Sequence, residues 1–155
     1  MGVVTGCEHM GITVRDVDAS ARFYEENLGF KLVDRVARSE PYVQRVVGYY
    51  PDVTLQIATL EIPGTDVVLE IIEYEGVEAT PVDGANANPG TAHLSLYVDD
   101  LGEIYTRLKA KGVEFVSEIE VSNAGPLKGG RLVYMIDPDG IRVELVELPK
   151  AKTNG

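Results

Sequence analysis

At 155 residues, 45% of them hydrophobic, the chain can bury a core as one domain or as two half-domains, and its single Cys7 excludes an intrachain disulfide and suits a reducing compartment. A formal charge of −11, with 14 scattered basic residues, argues against nucleic acid or an anionic membrane as partner. No apolar run reaches the roughly 18 residues of a membrane span, so a small-molecule ligand or a protein partner remains.

The opening segment, MGVVTGCEHM, has no basic region followed by a long apolar stretch; no secretory signal is read there, and a cytoplasmic location is expected. An apolar-rich strand then runs His9-Met10-Gly11-Ile12-Thr13-Val14. Asp16 or Asp18 supplies helix-cap chemistry, and Ala21, Phe23, Tyr24 and Leu28 fall at helical spacing within 19–28. Gly29 suits the helix end, and strands are expected over 31–38 and 53–62. Between them, EPYVQRVVGYYP (40–51) carries Gln44 and Arg45 among tyrosines, and reads either as a surface loop or as a pocket wall that would make both residues substrate contacts. Pro63-Gly64-Thr65-Asp66 marks a turn before Leu69-Glu70-Ile71-Ile72-Glu73.

Residues 77–90, centred on ATPVDGANANPG, read as a linker, and beyond it the pattern repeats. His93, Val98 and Asp100 follow His9, Val14 and Asp16 at one constant interval, and Gly112 follows Gly29 one residue short of it. A helix carrying Leu101, Ile104, Tyr105 and Leu108 stops at Gly112; strands are expected over 114–117 and 131–136. SEIEVSNAGPLKGGR (117–131) reads as a mobile lid or an ordinary long loop. Asp137-Pro138-Asp139-Gly140 turns into Val143-Glu144-Leu145-Val146-Glu147, and the polar tail 149–155 is expected to fray. The repeat predicts an α+β fold of two βαβββ modules, 7–76 and 91–148, forming a curved mixed sheet as one domain over 7–148.

Strand alternation gives the repeat a chemical meaning. His9, Gly11 and Thr13 share one face, opposite Met10, Ile12 and Val14; His93 and Ser95 are likewise opposed to Leu94 and Leu96. On the closing strands Glu70 and Glu144 project opposite apolar neighbours, a costly placement for a carboxylate unless something compensates its charge. One divalent ion held by His9, Glu70, His93 and Glu144 would do so. Nitrogen–oxygen ligation suits Zn, Ni, Co, Mn or Fe(II), and the lack of thiolates disfavours a structural zinc site. Tyr134, alternating with Val133 and Met135, is a candidate pocket residue.

These residues, with SARFYEENLGF after the opening strand and IDPDGIRVELVE at the close, resemble the vicinal oxygen chelate superfamily over about residues 7–148. That group includes glyoxalase I, methylmalonyl-CoA epimerase, extradiol dioxygenases and bleomycin-resistance proteins. The resemblance implies a metal-dependent lyase or isomerase acting through an enediolate or enolate of a small oxygen-bearing substrate, with Glu144 as base, Glu70 as its pseudo-symmetric partner, and a homodimer as the common assembly. An Fe(II)-dependent dioxygenase of the extradiol type is the enzymatic alternative; Glu70 would fill one of the positions that ring cleavage needs open. A ligand- or drug-binding protein of the bleomycin-resistance kind is the other, although such proteins generally lack the metal ligands present here.

Overall fold

In the computed structural model, residues 2–150 are described, and the end of the expected tail, 151–155, lies outside them. The chain divides between Pro81 and Val82, inside the segment read as a linker, into two compact units.

The first unit opens with β1 (His9–Thr13) and α1 (Val17–Leu28). Asp16, not Asp18, caps the helix by accepting the Ala19 N–H at 2.8 Å, while Asp18 pairs with Arg35 at 2.9 Å. Gly29 ends it at φ 73°, a left-handed conformation that favours glycine. β2 (Lys31–Arg38), α2 (Pro41–Val47), β3 (Thr54–Glu61) and β4 (Val68–Glu75) follow, and the sheet order is β1-β4-β3-β2. The helix α2 was not expected. Its seven residues offer little periodicity, but Pro41 at the first turn and Gly48 at φ 82° are helix-boundary chemistry.

In the second unit, β5 (His93–Tyr97) leads into α3 (Leu101–Ala110), capped by the Asp100 carboxylate on the Glu103 N–H at 3.0 Å. β6 (Glu114–Phe115) is shorter than the expected 114–117, and a two-residue strand β7 (Glu120–Val121) lies within the segment read as lid or loop. That segment is tied by the Ser122 N–H to the Gly130 carbonyl at 2.9 Å and the Gly129 N–H to the Ser122 carbonyl at 2.8 Å. β8 (Arg131–Ile136) and β9 (Arg142–Glu147) complete a sheet of order β5-β9-β8-β6, with β7 also on β8. The pattern is therefore βαβββ twice, with α2 added to one copy and β7 to the other, and each copy has its own mixed sheet.

Both sheets place the opening strand parallel to the closing one in the same relative register: Gly11 lies opposite Glu70, and Ser95 opposite Glu144. One face of each sheet is apolar. Ile12, Ala58, Leu60, Leu69 and Ile71 are buried on the first, with Val17, Ala21 and Tyr24 of α1; Val133, Met135, Val143 and Leu145 on the second, with Leu101 and Leu108 of α3. At about 25 cal/mol per Å² of apolar surface removed from water, this face is what holds each helix to its sheet. The other face is left to the polar residues interleaved with it.

A candidate metal half-site in each module

Strand alternation puts Glu70 between fully buried Leu69 and Ile71, and Glu144 between fully buried Val143 and Leu145. Both carboxylates project from the face away from the helix, their side chains 26% and 14% exposed. His9 Nε2 stands 3.7 Å from Glu70 Oε1, and His93 Nε2 stands 3.8 Å from Glu144 Oε2. The same diagonal pair thus arises twice, because the same register brings a strand-opening imidazole beside a closing-strand carboxylate.

These separations exceed a hydrogen bond. Two ligands on one ion, each about 2.1 Å from it and about 90–110° apart, lie about 3.0–3.4 Å from each other. Small side-chain rotations would bring either pair to that spacing, so the donors fit a divalent ion. Within a module the donors number two; no group of three or more His, Cys, Asp or Glu that could hold a metal is found among the described residues.

The surroundings of the two pairs differ. In the first, the Glu8 carboxylate contacts His9 Nδ1 closely, which favours the tautomer leaving Nε2 to face Glu70. That hydrogen bond, with the charges of Glu70 and Glu8, raises the His9 pKa against the opposing effect of burial. Glu8 is a partner that the reading of the repeat missed: it precedes the strand, and Ala92 occupies the matching place in the second module.

In the second pair, the Ser95 hydroxyl donates to Glu144 Oε2 at 2.7 Å, the oxygen that also faces His93. Tyr134 lies opposite Glu144 on the other side, its hydroxyl 3.4 Å from His93 Nε2 and its ring edge-on to the imidazole at 5.3 Å. Burial, followed by the charge of Glu144 and a hydrogen bond to it, raises the Tyr134 pKa. The flanking positions around Glu70 are Gly11 and Thr59, so this carboxylate has no matching serine and tyrosine.

A second pair of glutamates serves a structural purpose. Glu73 accepts the Val17 N–H at 3.0 Å and Glu147 accepts the Leu101 N–H at 2.7 Å, so each closing strand places a carboxylate on the first residue of its module's helix. Unpaired N–H groups and the helix dipole favour an anion there. Both belong to the repeated glutamate pattern, Glu70/Glu73 and Glu144/Glu147, which could have revealed them.

The candidate substrate residues separate. Gln44 is buried, and its amide donates to the carbonyls of Pro51 at 3.0 Å and Val53 at 2.8 Å, which fastens the chain after α2. Arg45 instead places its guanidinium carbon 5.6 Å from the centre of the Tyr50 ring.

The Glyoxalase/Bleomycin resistance protein/Dioxygenase superfamily matches residues 6–145. The chain belongs to this family. Among its relatives, a lactoylglutathione lyase of Salmonella typhimurium is 30% identical over 146 residues, covering 92% of this chain and 93% of the relative. A 2-epi-5-epi-valiolone epimerase of Actinomyces is 29% identical over 144 residues, covering 91% and 78%. In fold, the superfamily chain is similar to a glyoxalase family protein of Bacillus cereus, with a TM-score of 0.81, 22% identity, and coverage of 96% of this chain and 97% of the other. The α+β architecture thus agrees with the sequence-based expectation. Among the described residues no helix is long and apolar enough to cross a membrane.

Proposed function

We propose that the protein is a divalent-metal-dependent lyase or isomerase, with His9 and Glu70 from one half-site and His93 and Glu144 from another holding a single ion. The half-sites would pair within one chain or between the copies of a homodimer. The reading is carried by the repeated imidazole–carboxylate pair, at 3.7 and 3.8 Å, on strands whose other face is apolar. It is supported by membership in a superfamily whose similar members include lyases and an epimerase.

A bound divalent ion of the Ni, Co, Mn, Zn or Fe(II) type would supply Lewis acidity toward neighbouring oxygens of a small substrate, favouring loss of the proton on the adjacent carbon. Glu144 is assigned the proton transfer. Its Oε2 is oriented by Ser95, and it is less exposed than Glu70, so its approach to a substrate carbon is defined. Glu70 faces its own imidazole without that hydroxyl and is assigned the matching role on the opposite side of the substrate. Tyr134, beside His93 and opposite Glu144, would bound the space next to the base.

Elemental analysis of protein purified without chelators or an affinity-column metal tests the reading. About one equivalent of Ni, Co, Mn or Zn per pair of half-sites supports it, followed by turnover of 2-oxoaldehyde hemithioacetals or acyl-CoA epimers. Iron, with oxygen-dependent turnover of a catechol, would favour the dioxygenase reading. No metal bound and none taken up on titration would overturn the metal assignment and leave a ligand-binding protein.

A further inference from the structure

The segment that most distinguishes the first module from the second is α2 with the turn after it. It replaces the small strand that the second module has at the corresponding stage, and it presents several aromatic rings. Tyr49 and Tyr50 are 49% and 55% exposed. The Tyr49 ring meets Tyr74 edge-on at 5.9 Å, and Arg45 lies over Tyr50. Tyr74 belongs to β4 and follows Glu70 and Ile72 on the same face, which places it about 13 Å along the strand from the carboxylate.

Two features hold this group in place. Gln44 binds the Pro51 and Val53 carbonyls from inside. At the end of β4, Gly76 (φ 88°) lets Asp52 approach so closely that a Cβ would stand 2.3 Å from the Asp52 carbonyl oxygen. The rings are therefore carried on a segment fastened at both its core side and its strand side.

Charge and ring contact together single out Arg45. Arg35, Arg38, Arg107 and Arg131 each meet a carboxylate, whereas Arg22, Arg45 and Arg142 take part in no ion pair among the described residues, and of these three Arg45 is the one that lies over an aromatic ring. In a chain of net charge −11, a guanidinium left over an aromatic ring is a local site for an anion in a field that otherwise repels one. Guanidinium groups both stack on π faces and bind carboxylate or phosphate through paired N–H donors.

We propose that Arg45, Tyr49, Tyr50 and Tyr74 form a distal substrate subsite for a flat group carrying a negative charge. Its orientation toward the reacting end of the substrate rests on the metal-enzyme reading, since Glu70 lies farther along the same sheet face. The substrate then carries an anionic aromatic or other flat group near α2 in addition to its reacting oxygens at the carboxylate end.

The test uses metal-free, full-length protein titrated with phenyl phosphate and followed by NMR of the Arg45 side chain and the tyrosine rings. Saturable shifts at Arg45, Tyr49, Tyr50 and Tyr74 are expected. Arg45→Gln and Tyr50→Leu should each weaken binding by about fivefold or more, while Lys31→Gln, an exposed cation at the opposite end of the same sheet from Tyr74, leaves it unchanged. Phenol and inorganic phosphate, each with half of the recognised chemistry, should bind more weakly than phenyl phosphate. Shifts that do not saturate, or equal binding by Arg45→Gln, would overturn the subsite. Because no metal is present, failure of this binding leaves the metal assignment untouched, and failure of the metal assignment leaves this binding intact.

Discussion

Replacing Ser95 with Ala removes the hydroxyl that holds Glu144 Oε2 at 2.7 Å while leaving all four proposed ligands in place. A hydrogen bond to an ionised acceptor contributes about 1.5–3 kcal/mol, and the exposed position of Ser95 points to the lower end. About 1.4 kcal/mol is tenfold in an equilibrium constant, so metal association should weaken roughly tenfold, within the range for losing a partner behind a ligand. Competition against a chromophoric chelator measures the effect, with thermal unfolding of the metal-free protein to show that the fold is retained. The repeat provides the converse experiment. Gly11 occupies the place of Ser95 opposite Glu70, and a Cβ there would meet His9 at 3.8 Å, ordinary contact. Gly11→Ser should therefore be tolerated and should partly restore affinity in the Ser95→Ala background. Wild-type affinity in Ser95→Ala, with an unchanged fold, would refute the claim that this hydroxyl orients a metal ligand.

Three further outcomes follow from the same geometry. Glu144→Gln should retain much of the metal but lose turnover, whereas His93→Ala should lose both; full activity of Glu144→Gln on the true substrate would remove Glu144 as base. The Arg131 guanidinium, and then the Leu101 N–H, hold the Glu147 carboxyl below its usual range. Its contribution is therefore present above the unfolded pKa of about 4.3 and is lost as pH falls through the folded value. Glu147→Gln should cost about 2 kcal/mol in urea unfolding at pH 7, with the difference from wild type shrinking below pH 4; a constant gap would contradict the ionic origin. Gly76→Ala should cost more than about 1 kcal/mol, since both φ 88° and the Asp52 carbonyl oppose a side chain, and wild-type thermal stability in this variant would show that the Asp52 segment moves away freely.

The amino-acid sequence alone determined the repeated pattern, because period-two burial and helix-boundary chemistry are local. Leu69/Glu70/Ile71 and Val143/Glu144/Leu145 alternate as half-buried strands must, and Asp16, Gly29, Asp100 and Gly112 bound the helices as their side-chain and backbone chemistry allows. Alternation also put His9, Glu70, His93 and Glu144 on the faces turned from the helices, since a carboxylate between two core residues has only the other face available. The helix at Pro41–Val47 was less legible, for seven residues make barely two turns and their burial depends on what the neighbouring strands present. Only the tertiary structure decided how the equivalent carboxylates differ. Parallel register sets Ser95 against Glu144 but Gly11 against Glu70, and antiparallel register adds Tyr134 to one and Thr59 to the other. Those neighbours are far apart in the chain and meet only through strand pairing, while Glu147 meets Leu101 only because α3 packs on the sheet, and Gln44 meets Val53 only because the chain turns back after α2. Spacing within a strand tells which way a side chain points, but what it meets depends on a register set by the whole sheet.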